Sequence, residues 1–122
     1  MTGGVLIVDD DPDMRVLMHA VIASADGDLV VRGEVSSGEE ALARVSEVDP
    51  EVVILDQAMP GLTGIETAAL LRRKRPGQQM VLFTAYLTAG LAADATAAGF
   101  ARCLKKSDLM LLPEVLRSLT GA

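Results

Sequence analysis

The chain has 122 residues, a formal net charge of −6 and 50% hydrophobic residues. This length fits one domain of ordinary size, and the hydrophobic fraction excludes a disordered chain. Because phosphate binding needs a basic surface, the acidic balance argues against direct contact with nucleic acid. The only cysteine, Cys103, cannot form an internal disulfide, which is typical of a reducing compartment.

The N-terminal residues, MTGG, carry no positive charge ahead of an apolar stretch. This pattern differs from that of a signal peptide, and the sequence contains no apolar run long enough to span a membrane. We therefore expect a soluble, cytoplasmic protein that makes no membrane contact.

The first apolar run, residues 4–8, predicts a strand buried on both faces, and helical periodicity follows over 11–25. Asp11 suits the N-cap of that helix, and Pro12 suits its first position, where a missing N–H costs nothing. Apolar residues three or four positions apart predict the buried face of the helix. They are Met14, Leu17, Met18, Val21 and Ala25.

Two further strand and helix pairs follow in the sequence. They are predicted at 29–35 (strand), 37–48 (helix), 51–56 (strand) and 63–75 (helix). Both helices begin with the spacing of a capping box, in which a side chain at each end accepts from a backbone N–H of the other. The pairs are Ser37 with Glu40 and Thr63 with Glu66.

The last two pairs complete a pattern of five β-α units. They are predicted at 79–85 (strand), 88–99 (helix), 101–105 (strand) and 107–119 (helix). Pro113 lies inside the last helix, so its regular part either begins late or is kinked. Alternating strands and helices with right-handed crossovers predict an α/β fold, a doubly wound parallel sheet covered on both faces.

Carboxylates end two of the buried strands. VLIVDDD runs into Asp9 and Asp10, and VVILDQAMPG runs into Asp56. In doubly wound sheets the ligand lies beyond the carboxyl ends of the strands, where the strand order reverses. Close carboxylates repel one another unless a cation lies among them, and hard oxygen ligands suit Mg²⁺. Thr84 ends the fourth strand and Lys106 follows the fifth, so both side chains are predicted at the same edge.

This arrangement predicts phosphoryl chemistry. A carboxylate beside Mg²⁺ can attack phosphorus and form an acyl phosphate, while a hydroxyl and an ammonium bind the phosphoryl oxygens. Simpler alternatives exist for each position. Residues 9–13 can cap a helix, and Asp56 can begin a turn, although an unpaired carboxylate at the end of a buried strand is costly. Thr84 can be an ordinary strand residue, and Lys105 with Lys106 can be a solvated pair. We assign only Lys105 to solvent, because neighbours along a strand point to opposite sides.

Four segments occur in the order and at the spacing of a known family: VLIVDDDPDMR, VVILDQAMPGLTGIE, VLFTA and CLKKSDL. Over residues 4 to about 120, the chain resembles the receiver domain of bacterial two-component response regulators. The resemblance implies a flavodoxin-like (βα)5 fold with a five-stranded parallel sheet of order 2-1-3-4-5. It implies one receiver domain over residues 1–122, either complete or the N-terminal part of a longer protein.

The resemblance also implies a metal site and its ligands. Asp10 and Asp56 would bind Mg²⁺ directly, Asp9 would hold a metal-bound water, and the backbone carbonyl of Ala58 would complete the protein ligands. Asp56 would accept the phosphoryl group, with Thr84 as the switch hydroxyl.

Lys106 would pair with the phosphoryl group. The donor would be a histidine kinase or a histidine phosphotransfer protein. Phosphorylation would change the surface formed by the last two helices and the last strand, which would bind an output domain, an effector protein or a second copy. Such a domain modifies itself but turns over no external substrate, so we expect no enzyme in the usual sense.

The sequence departs from the family pattern near Lys106. Cys103 stands where an aromatic residue is usual, and Ser107 stands where proline is common. A trans bond before Ser107, or a locally adjusted loop, is therefore predicted. Ala58 and Tyr86 would flank the approach of water to phosphorus and slow hydrolysis. Tyr86 has an alternative role, which is to pack over the gap at Cys103.

Three alternative functions stay open at this point. A Mg²⁺-dependent phosphohydrolase with an aspartyl-phosphate intermediate usually has a second acid two residues past the nucleophile, where this chain has Ala58. A flavin- or nucleotide-binding module is disfavoured by an aromatic content of 2%. A receiver-like interaction module that works without phosphorylation is disfavoured because all the chemical positions are filled.

Overall fold

The computed structural model describes residues 3–25 and 27–121. One parallel sheet crosses the molecule and consists of β1 Gly3–Val8, β2 Leu29–Val35, β3 Val52–Leu55, β4 Gln79–Thr84 and β5 Arg102–Lys105. The strand order is β2-β1-β3-β4-β5, which confirms the predicted order 2-1-3-4-5. The chain reverses its direction across the sheet after β2. The carboxyl ends of β1 and β3 therefore border the position where a ligand is expected.

In the described residues, five α-helices cover the sheet, namely α1 Pro12–Ser24, α2 Gly38–Val48, α3 Gly64–Lys74, α4 Ala89–Ala98 and α5 Leu112–Thr120. Alternate residues of each strand face opposite layers. In β1, Val5 and Ile7 pack in one core with α1 and α5. Leu6 and Val8 pack in the other core with α2, α3 and α4. Both faces are thus buried, as the continuous apolar runs predict, and the doubly wound, flavodoxin-like fold is confirmed.

The buried face of α1 differs from the predicted one. Met18 and Ile22 are each 1% exposed, whereas Leu17 is 48% exposed. Met14 packs beside them at the edge of the same core. The contact face therefore follows a spacing of four residues from Met14 to Ile22, and Leu17 lies outside it. Spacing alone could not make this choice, because both sets have helical periodicity.

The helix N-termini follow the predicted capping in two of three cases. The Asp11 side chain accepts from the N–H of Asp13, with Pro12 next to it, and Thr63 forms a complete capping box with its partner. Ser37 accepts from the N–H of Glu40, but the Glu40 carboxylate accepts from the Ser36 hydroxyl. That box is only half formed, because a second hydroxyl competes for the carboxylate.

The last helix begins later than its sequence pattern predicts. Residues Lys106–Leu111 form a 3₁₀ helix, and α5 starts at Leu112 with Pro113 in its first turn. The late start, one of the two predicted outcomes, is the observed one, because proline is tolerated only where its missing N–H is not needed. No helix in the described part of the chain is long and apolar enough to cross a membrane.

Candidate metal and phosphorylation site

Two carboxylates lie side by side at the carboxyl edge of the sheet. Val8 and Leu55 are partners in the ladder between β1 and β3, and the next residues are Asp9 and Asp56. The N–H of Asp56 donates to the carbonyl of Val8 at 3.1 Å. Asp9 is 1% exposed and Asp56 is 5% exposed, while Asp10 is exposed. The end of the β1–β3 ladder therefore sets the spacing of the two buried acids.

The predicted acidic cluster is present in the fold. One carboxylate oxygen from each of Asp9, Asp10 and Asp56 lies within 4.8 Å of the other two. Oxygens this close can contact one cation together.

Lys106 reaches both buried acids. Its Nζ lies 2.9 Å from Oδ2 of Asp56, with hydrogen-bond geometry, and 2.9 Å from Oδ2 of Asp9, as an ion pair. Burial acts to lower the pKa of Lys106, but hydrogen bonds and charge from the two carboxylates outweigh it, so the pKa is raised. Lys106 therefore carries its full charge at neutral pH and offsets part of the negative charge of the cluster.

Asp9 and Asp56 are not fully satisfied by these contacts. Burial is the main cause that raises the pKa of Asp9, against opposing hydrogen bonds from the N–H of Asp11 and from Lys106. Oδ1 of Asp56 is buried and has no hydrogen-bond partner among the described residues. An unpaired buried carboxylate oxygen is costly. This oxygen set therefore suits a hard cation such as Mg²⁺.

The remaining predicted residues lie around the cluster. Thr84 is the last residue of β4, is 3% exposed and pairs in the ladder with Lys105, whose neighbour is Lys106. Lys105 is exposed, as predicted. Ala58 is exposed in the loop between β3 and α3. Thr84 and Ala58 thus lie at the same edge of the sheet as Asp56.

The loop after Asp56 is held tightly against the start of α3. The side-chain oxygen of Gln57 accepts from the N–H of Ile65 at 2.9 Å, and its carbonyl accepts from the N–H of Gly64 at 3.2 Å. A Cβ at Gly64 would overlap the backbone oxygen of Asp56. Sequence reasoning missed this role of Gly64. Glycine at the start of a helix was the available signal, since it is a poor helix former.

Sequence reasoning also missed Arg15. Its Nη1 donates to the backbone carbonyl of Asp9 at 2.6 Å. Arg15 lies at the end of the first turn of α1, where a positive charge opposes the helix dipole. A basic residue in this unfavourable location was the signal in the sequence, since a nearby acceptor can offset the cost.

The departures from the family pattern have clear structural outcomes. Tyr86 is 87% exposed, so the alternative that its ring packs over the gap at Cys103 is wrong. Cys103 is partly buried against one of the two cores, and burial raises the pKa of its thiol. The described residues contain no cis peptide bond, so the bond before Ser107 is trans, as predicted.

The model of the response regulator receiver domain family matches residues 5–117. The chain belongs to this family. This receiver domain is 37% identical over 120 residues to the transcriptional activator protein ExaE of Pseudomonas putida, covering 97% of the chain and 56% of that protein. It is 33% identical over 94 residues to the chemotaxis protein CheY of Listeria monocytogenes, covering 77% of each.

Solved structures agree with this assignment. The response regulator domain of Thermotoga maritima CheB superimposes with a TM-score of 0.89 at 25% identity, covering 100% of this chain and 98% of that one. Receiver domains are phospho-accepting signalling domains and are generally not classed as enzymes. The matched part of this chain covers 56%, 33% and 37% of the lengths of three curated relatives.

Proposed function

We propose that this receiver domain accepts a phosphoryl group on Asp56 from a histidine kinase or a histidine phosphotransfer protein. The state of Asp56 supports the proposal. Its carboxylate is buried, Lys106 donates to one of its oxygens, and the other oxygen has no hydrogen-bond partner in the described part of the chain. Asp9, Asp10, Asp56 and the backbone carbonyl of Ala58 would hold Mg²⁺. When bound, the ion supplies positive charge beside the phosphoryl oxygens.

The transfer exchanges one bond to phosphorus for another. A carboxylate oxygen of Asp56 attacks the phosphorus of a phosphohistidine, and an O–P bond forms while the N–P bond breaks. The imidazole nitrogen leaves with the electron pair and takes up a proton. Lys106 and the hydroxyl of Thr84 then bind phosphoryl oxygens, which explains why a cation and a donor lie at this edge.

Mass spectrometry after treatment with acetyl phosphate and Mg²⁺ tests the acceptor. We expect one added phosphoryl group, mapped to Asp56, and none on Asp56→Asn. Asp11→Asn is the matched control: it removes a neighbouring charge, keeps a good N-cap and should be modified like wild type. Label on Asp9 or Asp10, or a modified Asp56→Asn, would contradict the proposal. Multiple turnovers of a phosphate monoester, in place of acetyl phosphate, would instead indicate a phosphohydrolase.

The phosphoryl group adds a charge of about −1.5 to −2 and strong acceptor oxygens, and we propose that this changes the surface formed by α4, β5 and α5. That surface would bind an output domain, an effector protein or a second copy of the domain. ExaE is named as a transcriptional activator, so a DNA-binding output in a longer protein fits, with no DNA contact by this acidic domain. We propose that residues 1–122 form one receiver domain that acts in the cytoplasm.

Sedimentation velocity before and after phosphorylation tests the proposed dimer. We expect the sedimentation coefficient of the wild-type domain to rise with phosphorylation and that of Asp56→Asn to stay constant. An unchanged coefficient for a fully phosphorylated sample would rule out the homodimer.

A further inference from the structure

Arg15 links the backbone of the acidic cluster to a neighbouring strand. Its Nη1 donates to the carbonyl oxygen of Asp9 at 2.6 Å, and its Nε lies 3.6 Å from Oε1 of Glu34 on β2. The Arg15 side chain is 20% exposed and that of Glu34 is 34% exposed. Oε2 of Glu34 lies 3.0 Å from Nδ1 of His19, so Arg15 and His19 share this acid.

The carbonyl that Arg15 holds belongs to the peptide between Asp9 and Asp10. Two other polar groups of Asp9 are engaged as well: its N–H donates to the carbonyl of Val35 at 3.2 Å, and Oδ1 accepts from the N–H of Asp11 at 2.9 Å. Asp10, by contrast, is an exposed residue in a bend. The direction of its side chain therefore depends on the peptide plane that precedes it, and Arg15 restrains that plane.

The location of Arg15 is unfavourable on charge alone. A guanidinium near the first turn of a helix opposes the helix dipole, and it repels a cation bound at the neighbouring carboxylates. The charge of Arg15 therefore weakens metal binding, while its hydrogen bond to the carbonyl of Asp9 favours binding by orienting the Asp9–Asp10 peptide. The two effects have opposite signs, so experiment can separate them.

We propose that Arg15 is a positioning residue for the metal site. It orients the Asp9–Asp10 peptide so that the carboxylate of Asp10 points toward those of Asp9 and Asp56, and Glu34 holds the guanidinium in place. This inference rests on the proposed function, in which those carboxylates bind Mg²⁺. Positioning groups behind metal ligands commonly change metal affinity by about 10- to 100-fold.

Two substitutions distinguish orientation from charge. Arg15→Lys keeps the positive charge, but one ammonium cannot replace the planar fork that spans Asp9 and Glu34. Arg15→Met keeps an apolar stem and removes the charge. If only charge mattered, Arg15→Lys would bind Mg²⁺ like wild type and Arg15→Met would bind it more tightly. If orientation dominates, both variants bind it more weakly.

The measurement is an amide chemical-shift titration with MgCl₂ at constant ionic strength and pH. We expect the dissociation constant to rise about ten-fold in Arg15→Lys. It should rise by a smaller factor in Arg15→Met, because the loss of the repelling charge offsets part of the effect. Arg73→Lys and Arg73→Met are the matched controls, because Arg73 is exposed at the end of α3, and they should match wild type. A wild-type dissociation constant in Arg15→Lys, or a lower one in Arg15→Met, overturns the proposal.

A second readout tests orientation directly in the metal-free protein. The carbonyl ¹³C shift of Asp9 should change in Arg15→Lys and stay constant in Arg73→Lys, because only the first variant alters the hydrogen bond to that oxygen. An unchanged shift overturns the proposal. If wild type shows no Mg²⁺-dependent amide shifts at all, the proposed metal site itself is wrong. If wild type binds Mg²⁺ and Arg15→Lys has the same dissociation constant, only the proposed role of Arg15 is wrong.

Discussion

Nζ of Lys106 lies 2.9 Å from Oδ2 of Asp56, although 50 positions separate them in the chain. The contact depends on β5, because Lys106 follows β5 at the same edge of the sheet at which Asp56 follows β3. The same ammonium lies 2.9 Å from Asp9. One protein cation thus neutralises part of the charge of two buried acids, and it shares them with any metal ion bound there.

Lys106→Met should destabilise the domain. Removing one partner of a buried ion pair leaves uncompensated charge, and such losses reach about 3 kcal/mol. Mg²⁺ should restore part of this loss by replacing the missing charge, so its effect on the free energy of unfolding should be larger in the variant than in wild type. Urea unfolding in EDTA and in Mg²⁺ measures both quantities.

Lys105→Met is the matched control for this variant, because Lys105 is the exposed neighbour. It should change the free energy of unfolding by less than about 0.5 kcal/mol.

The raised pKa of Lys106 also has a consequence at high pH. Its contribution is complete below the ordinary pKa of 10.5 and is lost as the pH rises through the higher folded value. The free energies of unfolding of wild type and Lys106→Met should therefore converge as the pH rises above 10.5. A difference between them that does not change with pH would contradict this account.

Asp9 should titrate above its ordinary pKa of 3.8 in the metal-free protein, because burial disfavours its charged form. The stability that this group contributes is complete below pH 3.8 and is lost as the pH rises through the folded pKa. Lys106→Met should raise the pKa further, and Mg²⁺ should lower it. Carboxyl ¹³C shifts followed against pH measure all three values.

Asp49 is the internal comparison in that titration. Its hydrogen bond from Arg75 and the charge of that guanidinium lower its pKa below 3.8. The two aspartates should therefore deviate in opposite directions in one spectrum. An Asp9 pKa at or below that of Asp49 would show that the cluster is better solvated than its burial implies.

Gly64→Ala should reduce both stability and phosphorylation. Its Cβ would overlap the backbone oxygen of Asp56, and overpacking of this kind costs about 2 kcal/mol. Gly90→Ala is the control, because the nearest atom to its Cβ lies 3.9 Å away; alanine in α4 should stabilise by about 0.5 kcal/mol. Thermal unfolding and the rate of modification by acetyl phosphate give the two readouts. Equal stabilities of the two variants would contradict the close approach.

Tyr86→Ala should leave the free energy of unfolding within about 0.5 kcal/mol of wild type, because the ring is 87% exposed. It should shorten the lifetime of phospho-Asp56 several-fold, a barrier change of about 1 kcal/mol, since the loop after β4 loses a ring able to cover the acyl phosphate. Decay of the phosphorylated mass at fixed pH measures this. Tyr86→Phe keeps the ring and should decay like wild type; an unchanged Tyr86→Ala would exclude shielding.

The amino-acid sequence alone determined the sheet and the cluster of acids. Apolar runs that end in a carboxylate place Asp9 and Asp56 at strand ends, and parallel strands bring their carboxyl ends to one edge. The order of the strands in the sheet was predicted from the resemblance to receiver domains. Local periodicity and strand polarity need no knowledge of side-chain contacts, so these features could be predicted.

Only the tertiary structure decided which side chains touch across elements. Three features depend on how the elements pack: the choice of Ile22 over Leu17 in the core, the contact of Arg15 with the carbonyl of Asp9, and the oxygen of Asp56 that has no hydrogen-bond partner among the described residues. Sequence spacing places a residue on a face of its own helix or strand. The ångström-scale distances that make a hydrogen bond or leave an oxygen unpaired arise when separate elements pack at close density.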